Sequence, residues 1–185
     1  MNRFRGLIGI VGLVVPLVAA YPVAAAALSD AATITYCTNH KQTYVAVVWP
    51  QGIPHLNVIK KNIAKLGTVI NTKTITLNKE GLFLLYHNLH PRMSLPTAER
   101  LFKPYLPASL PAASPCVAIV FETKKTLEEI IEAKIALRKS LGKSYFTIHI
   151  NDTHHQTIEA AKLFFDPEIT ALLNDSPHDL VIFKR

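Results

Sequence analysis

The stretch richest in reactive side chains is Phe146-Thr147-Ile148-His149-Ile150-Asn151-Asp152-Thr153. Its pattern predicts a strand with His149 near the end, followed by a turn at Asp152 and Thr153, where Thr153 can cap the next helix. A side chain at a strand end is held rigidly and can still meet a ligand. Neutral imidazole is a competent nucleophile and titrates near neutral pH. The N–H groups that open a helix beside it can receive phosphate. Two other readings compete. His149 can be a half-buried strand histidine hydrogen-bonded to Asp152, with His154 and His155 facing solvent from the first turn of the helix. Alternatively, His149, Asp152 and His154 or His155 can hold a metal such as zinc. His87 and His90, three apart on a helix, offer a second metal pair, though they also read as polar-face residues. The His149 cluster matches no established ligand spacing, so no metal residue is assigned.

The elements that must position this stretch follow from apolar periodicity and breakers. Tyr44 to Trp49 is a continuous apolar run stopped by Pro50 and Gly52, which predicts a buried strand. Leu56, Ile59, Ile63 and Leu66 recur at helical spacing, and Gly67 ends that helix. Val69 to Leu77 alternates, with Val69, Asn71, Lys73, Ile75 and Leu77 on one face, and predicts a second, more exposed strand. Gly81 to His90 reads as a short, very apolar helix. Six prolines then fall between Pro91 and Pro115, with a short helix at Thr97 to Phe102; such passages often rim binding sites. Cys116 to Phe121 is the third strand. Thr126 and Glu129 form a capping box for a helix that Gly142 stops. Tyr145 to Ile150 is the fourth strand, His154 to Phe165 the next helix, and Leu180 to Phe183 a short last strand. The order predicts an α+β, ferredoxin-like (split βαβ) fold, a four-stranded antiparallel sheet with helices packed on it. Its first and third strands are expected as parallel neighbours with their starting ends together, which would let Cys37 and Cys116 meet.

At these residues the chain resembles the nucleoside diphosphate kinases, whose signature N-x-x-H-G-S-D ends the fourth strand. His149 and Asp152 stand at the matching positions, and Phe164-Phe165-Asp166-Pro167-Glu168 resembles the Phe-x-Pro-Glu that follows in the family. Tyr86 and Arg92 keep the six-residue spacing of a family tyrosine and phosphate-binding arginine, and Trp49-Pro50-Gln51 stands where the family has Lys-Pro-Asp. The likeness covers roughly residues 43 to 170. It implies that His149 accepts phosphate, Arg92 and Arg138 clamp it, and Glu159 holds the second ring nitrogen. It also implies Mg²⁺ with a nucleoside triphosphate, a base stacked on Phe83 or Tyr86, and a homo-oligomer. The chain departs from the family at several of these places. The lysine is Trp49, the asparagine three before the histidine is Phe146, and Gly-Ser is Ile150-Asn151. Only Leu141 to Ser144 remains of the nucleotide-binding loop, and Glu159 is one residue out of register. Two functions are therefore carried forward. One is phosphotransfer or nucleotide and phosphate-ester binding through His149. The other is a catalytically inactive exported module that keeps the scaffold.

Export is expected from the first residues. Arg3 and Arg5 precede an uncharged stretch from Gly6 to Ser29, with an apolar middle from Leu7 to Val18, Pro22 and a small-residue run. That is the layout of a secretory signal, cleaved near Ala26. Left uncleaved, it is long enough to anchor the chain in a membrane. The expected division is a signal over 1–26, an N-terminal extension over 27–42 and the domain over 43–185. Of 185 residues, 49% are hydrophobic and 18% charged, which excludes a disordered chain and leaves room for one cored domain. The net charge of +7 falls to +5 without the two leader arginines. The lysines are dispersed, with no arginine block or aromatic-interleaved run, so no nucleic-acid partner is signalled. Cys37 and Cys116, the only cysteines, read as one disulfide in an exported chain or as two free thiols.

Overall fold

The computed structural model describes residues 28–90, 92–102, 104, 111–142, 146–175 and 182–183. The signal, Tyr145, Leu180 and Val181 lie outside the described residues. Four strands, β1 (Thr43–Val48), β2 (Thr68–Leu77), β3 (Ser114–Glu122) and β4 (Ile148–Ile150), form one sheet in the order β2-β3-β1-β4. Every pairing is antiparallel, an α+β arrangement compatible with the ferredoxin-like fold. β1 and β3 are the central strands. Their unbroken apolar runs follow from burial on both faces of the sheet.

The centre differs from expectation in one respect. β1 and β3 are neighbours but run antiparallel, Thr43 opposite Glu122 and Val48 opposite Val117. Each crossing returns its strand in the starting direction with one strand left between, and that strand runs the other way. Cys37 and Cys116 accordingly stay apart as two buried free thiols. Burial pushes the Cys37 thiol up to about 12 and raises that of Cys116 as well.

Two helices cross one face, α2 (Leu56–Leu66) between β1 and β2, and α5 (Leu127–Ser140) between β3 and β4. Thr126 and Glu129 form the expected capping box at the start of α5. The other face carries α1 (Asp30–Asn39), α3 (Lys79–Leu89), α4 (Leu95–Phe102), α6 (His154–Phe165) and α7 (Pro167–Asp175). Within residues 27–42, α1 is packed into that layer. Its Thr33 and Cys37 are fully buried, and the Asn71 amide of β2 donates to Leu28 O and Thr33 Oγ1 at 2.8 and 2.7 Å.

Strand ends also differ from the sequence reading. Ladder pairing in β4 begins at Ile148 because its partner β1 ends at Val48, so Phe146 and Thr147 form a turn and bend instead of strand. In β2 a register shift between Val69 and Asn71 takes Val69 off the buried face and leaves it 41% exposed. Ile182 and Phe183 form a bend rather than a strand, and the Ile182 N–H donates to Asn88 Oδ1.

Candidate functional site

His149 alternates with Ile148 and Ile150. Those two isoleucines join the α2–α5 face, which turns the imidazole toward the layer of α3, α4 and α6. There it borders a cavity of about 350 Å³. Trp49, Tyr86, Met93, Leu101 and Phe146 supply its apolar wall, and His90, Arg138 and His149 its polar groups. The aromatic wall is contiguous: the Tyr86 and Phe146 centroids are 5.4 Å apart, and Trp49 lies 6.2 Å from Tyr86 and 6.5 Å from Phe146. Backbone contacts bring Trp49 and Phe146 together. The Trp49 N–H donates to Thr147 O at 3.2 Å. Just beyond, Gly52 lies so close to that carbonyl that a Cβ would sit 2.3 Å from its oxygen. A side chain at position 52 would force the two segments apart.

His149 is only 8% exposed, and its Nε2 is buried without a hydrogen-bond partner. Such orphaned polar atoms are uncommon in folded interiors. Burial drives its pKa well below the ordinary 6.5, and the neighbouring His90, Lys134 and Arg138 push in the same direction. The His90 ring meets it edge-on, centroids 4.8 Å apart. Burial also lowers His90, against the opposing pull of its Nδ1 contact to Tyr86 O and of Asp152. Both imidazoles are neutral at pH 7.

The remaining expected residues are brought together only in part. Arg138 reaches the cavity, its Nε and Nη2 donating to Ile148 O at 2.9 and 2.7 Å. Tyr86 lines the cavity, and its hydroxyl donates to Met93 Sδ at 3.8 Å. Arg92 is exposed and borders an adjoining hollow with His90, Met93 and Gln156. Phe83 packs in the core against Phe102 and His87. His87 is itself buried, not on a polar face. Glu159 accepts from His155 Nε2 at 3.0 Å one helical turn away. Asp152 receives the Lys134 ammonium at 2.6 Å.

Several residues that build the site lack a motif. Asn151 accepts from Val45 N–H and donates to Thr153 O and to the Thr157 hydroxyl, tying the β4–α6 turn to β1. Thr157 donates in turn to Thr43 O. Lys134, Met93 and Leu101 are further contributors; for Lys134 the helical spacing from Ile130 was the available signal. Among the described residues no three histidine, cysteine, aspartate or glutamate side chains gather into a metal cluster.

Mg²⁺ with a nucleoside triphosphate does not fit these residues. Magnesium is ordinarily held through substrate phosphates and one or two carboxylates. Among the described residues no carboxylate lines the cavity, and Asp152 is engaged by Lys134. No helix among the described residues is long and apolar enough to cross a membrane. No protein-family model and no curated protein matches the chain.

Proposed function

We propose that this protein is an exported, non-catalytic binding module on a scaffold of the nucleoside diphosphate kinase type. The observation that carries the reading is Trp49. It stands where the resemblance implies a phosphate-binding lysine, and with Tyr86 and Phe146 it makes that end of the site an aromatic wall. Phosphoryl transfer depends on positioning and charge neutralisation. Removing a single preorganised electrostatic contact commonly costs on the order of 10²–10³ in rate. Here the lysine position is aromatic, Arg92 borders the neighbouring hollow, and Glu159 is paired with His155. The buried Nε2 of His149 and the Arg138 guanidinium then serve as polar anchors in a largely apolar cavity, the usual composition of a small-molecule site. Export rests on the pattern of residues 1–26.

The competing reading makes His149 a phospho-acceptor. Purified protein and His149→Ala are incubated with γ-labelled ATP and Mg²⁺. The expected result is no acid-labile, base-stable label on either. Label on the parent that vanishes in the variant would overturn the binding reading and restore phosphotransfer.

A further inference from the structure

The binding reading leaves the ligand open, and the inference below rests on it. We infer that His90, His149 and Met93 hold a single copper(I) ion in the cavity, each imidazole binding through Nε2 and Met93 through its sulfur. The three side chains line one cavity and come from two segments, the turn that follows α3 and strand β4. The His90 and His149 ring centroids are 4.8 Å apart, with the planes at 71°. An imidazole bound at about 2 Å has its ring centre about 3 Å from the metal. Two rings that share one ion can stand up to about 6 Å apart, and 4.8 Å falls within that reach.

Each donor atom is held in the state a metal needs. His149 is 8% exposed and its Nε2 is buried without a partner, a deficit that a bound ion would remove. At His90, Nδ1 lies 2.9 Å from Tyr86 O, and a carbonyl oxygen can only accept. The proton of the neutral ring is therefore on Nδ1 and the lone pair on Nε2. Donation from the other ring nitrogen to a backbone carbonyl is the usual support of a metal-binding histidine. Tyr86 also steadies the third donor, its hydroxyl donating to Met93 Sδ at 3.8 Å, which leaves the sulfur a second lone pair. The Met93 N–H donates to His90 O at 2.9 Å and closes the turn that carries both side chains. Burial keeps the two imidazoles in the neutral, ligating form. The donors then select the metal. Imidazole suits zinc and copper alike, whereas a thioether is a soft ligand that favours copper(I). The positive field of Lys134 and Arg138 at His149 points the same way, because it opposes a divalent ion more strongly than a monovalent one.

Trp49 is the only tryptophan of the chain and lines the same cavity, so its emission follows the arrival of an ion. The purified protein is titrated without oxygen with copper(I), against bicinchoninate as competitor, and separately with zinc(II). One copper(I) per chain is expected, with Trp49 emission quenched and both nitrogen and sulfur neighbours in the X-ray absorption of the copper. Zinc(II) is expected to bind more weakly. Met93 is the only methionine besides Met1, so Met93→Leu should remove the sulfur neighbour. It should also lower copper(I) affinity at least about tenfold, the scale on which even a supporting partner of a metal ligand acts. His149→Gln and His90→Gln should each lower affinity by a similar factor or more. Thermal melting of each variant checks that it is folded. No copper(I) held against the competitor, tighter zinc(II), or unchanged affinity in folded His149→Gln would overturn the site. A sulfur neighbour that persists in Met93→Leu would overturn it too, by placing the copper on Cys37 or Cys116. None of these results resembles the failure of the binding reading itself, which is phosphate label on His149.

Discussion

The two faces of the sheet are built from different materials. On the α2–α5 face, Ala46, Val48, Val117, Ile119, Ile148 and Ile150 meet Ile59, Ile63, Ile130 and Leu137, with Phe121 the only aromatic among the described buried residues. On the opposite face Trp49, Phe83, Tyr86, Phe102, Phe146, Phe164 and Phe165 dominate, and three of them, Trp49, Tyr86 and Phe146, line the cavity beside His149. Branched aliphatic side chains interlock and fill space. Rings linked by short loops leave a gap where no side chain reaches. One layer is therefore closed, and the other holds the cavity beside His149. The largest test of that contrast is a pair of truncations. Phe121→Ala, in the closed layer and fully buried, should cost about 3–5 kcal/mol in urea unfolding. Phe146→Ala, 7% exposed and already bordering a cavity, should cost about half as much, because fewer contacts are lost. Equal losses would erase the distinction.

Next in size is Lys134, the charged residue that joins the two regions. It lies on α5, and its ammonium reaches Ile150 O at 3.1 Å and Asp152 at 2.6 Å. Its side chain is 9% exposed against 48% for Asp152, so water can reach the carboxylate more easily than the carbonyl. Lys134→Ala should lower stability by about 1–3 kcal/mol through the unpaired acceptors, and Lys134→Met should recover part of this by restoring the packed stem. Chemical denaturation of both variants measures the difference. Identical losses would mean that the ammonium, and not the stem, accounts for the effect.

The same contrast explains which parts were legible in the sequence. Residues of the closed layer announce themselves by period, since Leu56, Ile59, Ile63 and Leu66 can only be one helix face, and the Thr126–Glu129 box marks where α5 begins. The apolar pattern alone carries strand β4 back to Tyr145 because it says nothing about where a partner stops, and β1 stops at Val48. The bulge at Val69 had no local signal because it belongs to the pairing with β3. At the site, His149 stood out by type and position. The cavity did not, because His90, Met93, Leu101 and Arg138 come from separate segments and meet only through the fold. Asn151 looked like a lost serine of a motif, yet its side chain satisfies a backbone N–H of a central strand.

Acid should distinguish the faces without any large truncation. His149 takes up a proton near 6.5 when unfolded and well below that when folded, chiefly because it is buried. Below 6.5 the unfolded state therefore binds more protons, and stability falls as the pH drops from 6.5 toward the folded value. Above 6.5 the group adds no pH dependence. His90 is lowered as well and acts in the same direction. Urea midpoints measured on either side of 6.5 should decline into acid, and His149→Gln should remove part of that slope. Lys134→Met should also flatten it, since one of the charges holding His149 down is gone. An unchanged slope in His149→Gln would mean that the imidazole is reached by solvent and not sealed behind the aromatic wall.

The smallest effect is expected where α1 joins the aromatic layer. Lys73 and Asp30 approach to 2.5 Å, but their side chains are 25% and 42% exposed, so solvent screens the pair in a way it does not screen Lys134. Asp30 also sits in the first turn of α1, where a negative charge favours the helix. Together these should make Asp30→Asn cost less than about 1 kcal/mol, with the loss shrinking further in high salt. Cys37 and Thr33, both fully buried, and the Asn71 amide bonds to Leu28 and Thr33 should hold the helix in its absence. Hydrogen exchange across residues 30–39 checks this. Protection that survives Asp30→Asn fits docking by burial, whereas its collapse would make a surface ion pair the principal link between α1 and the sheet.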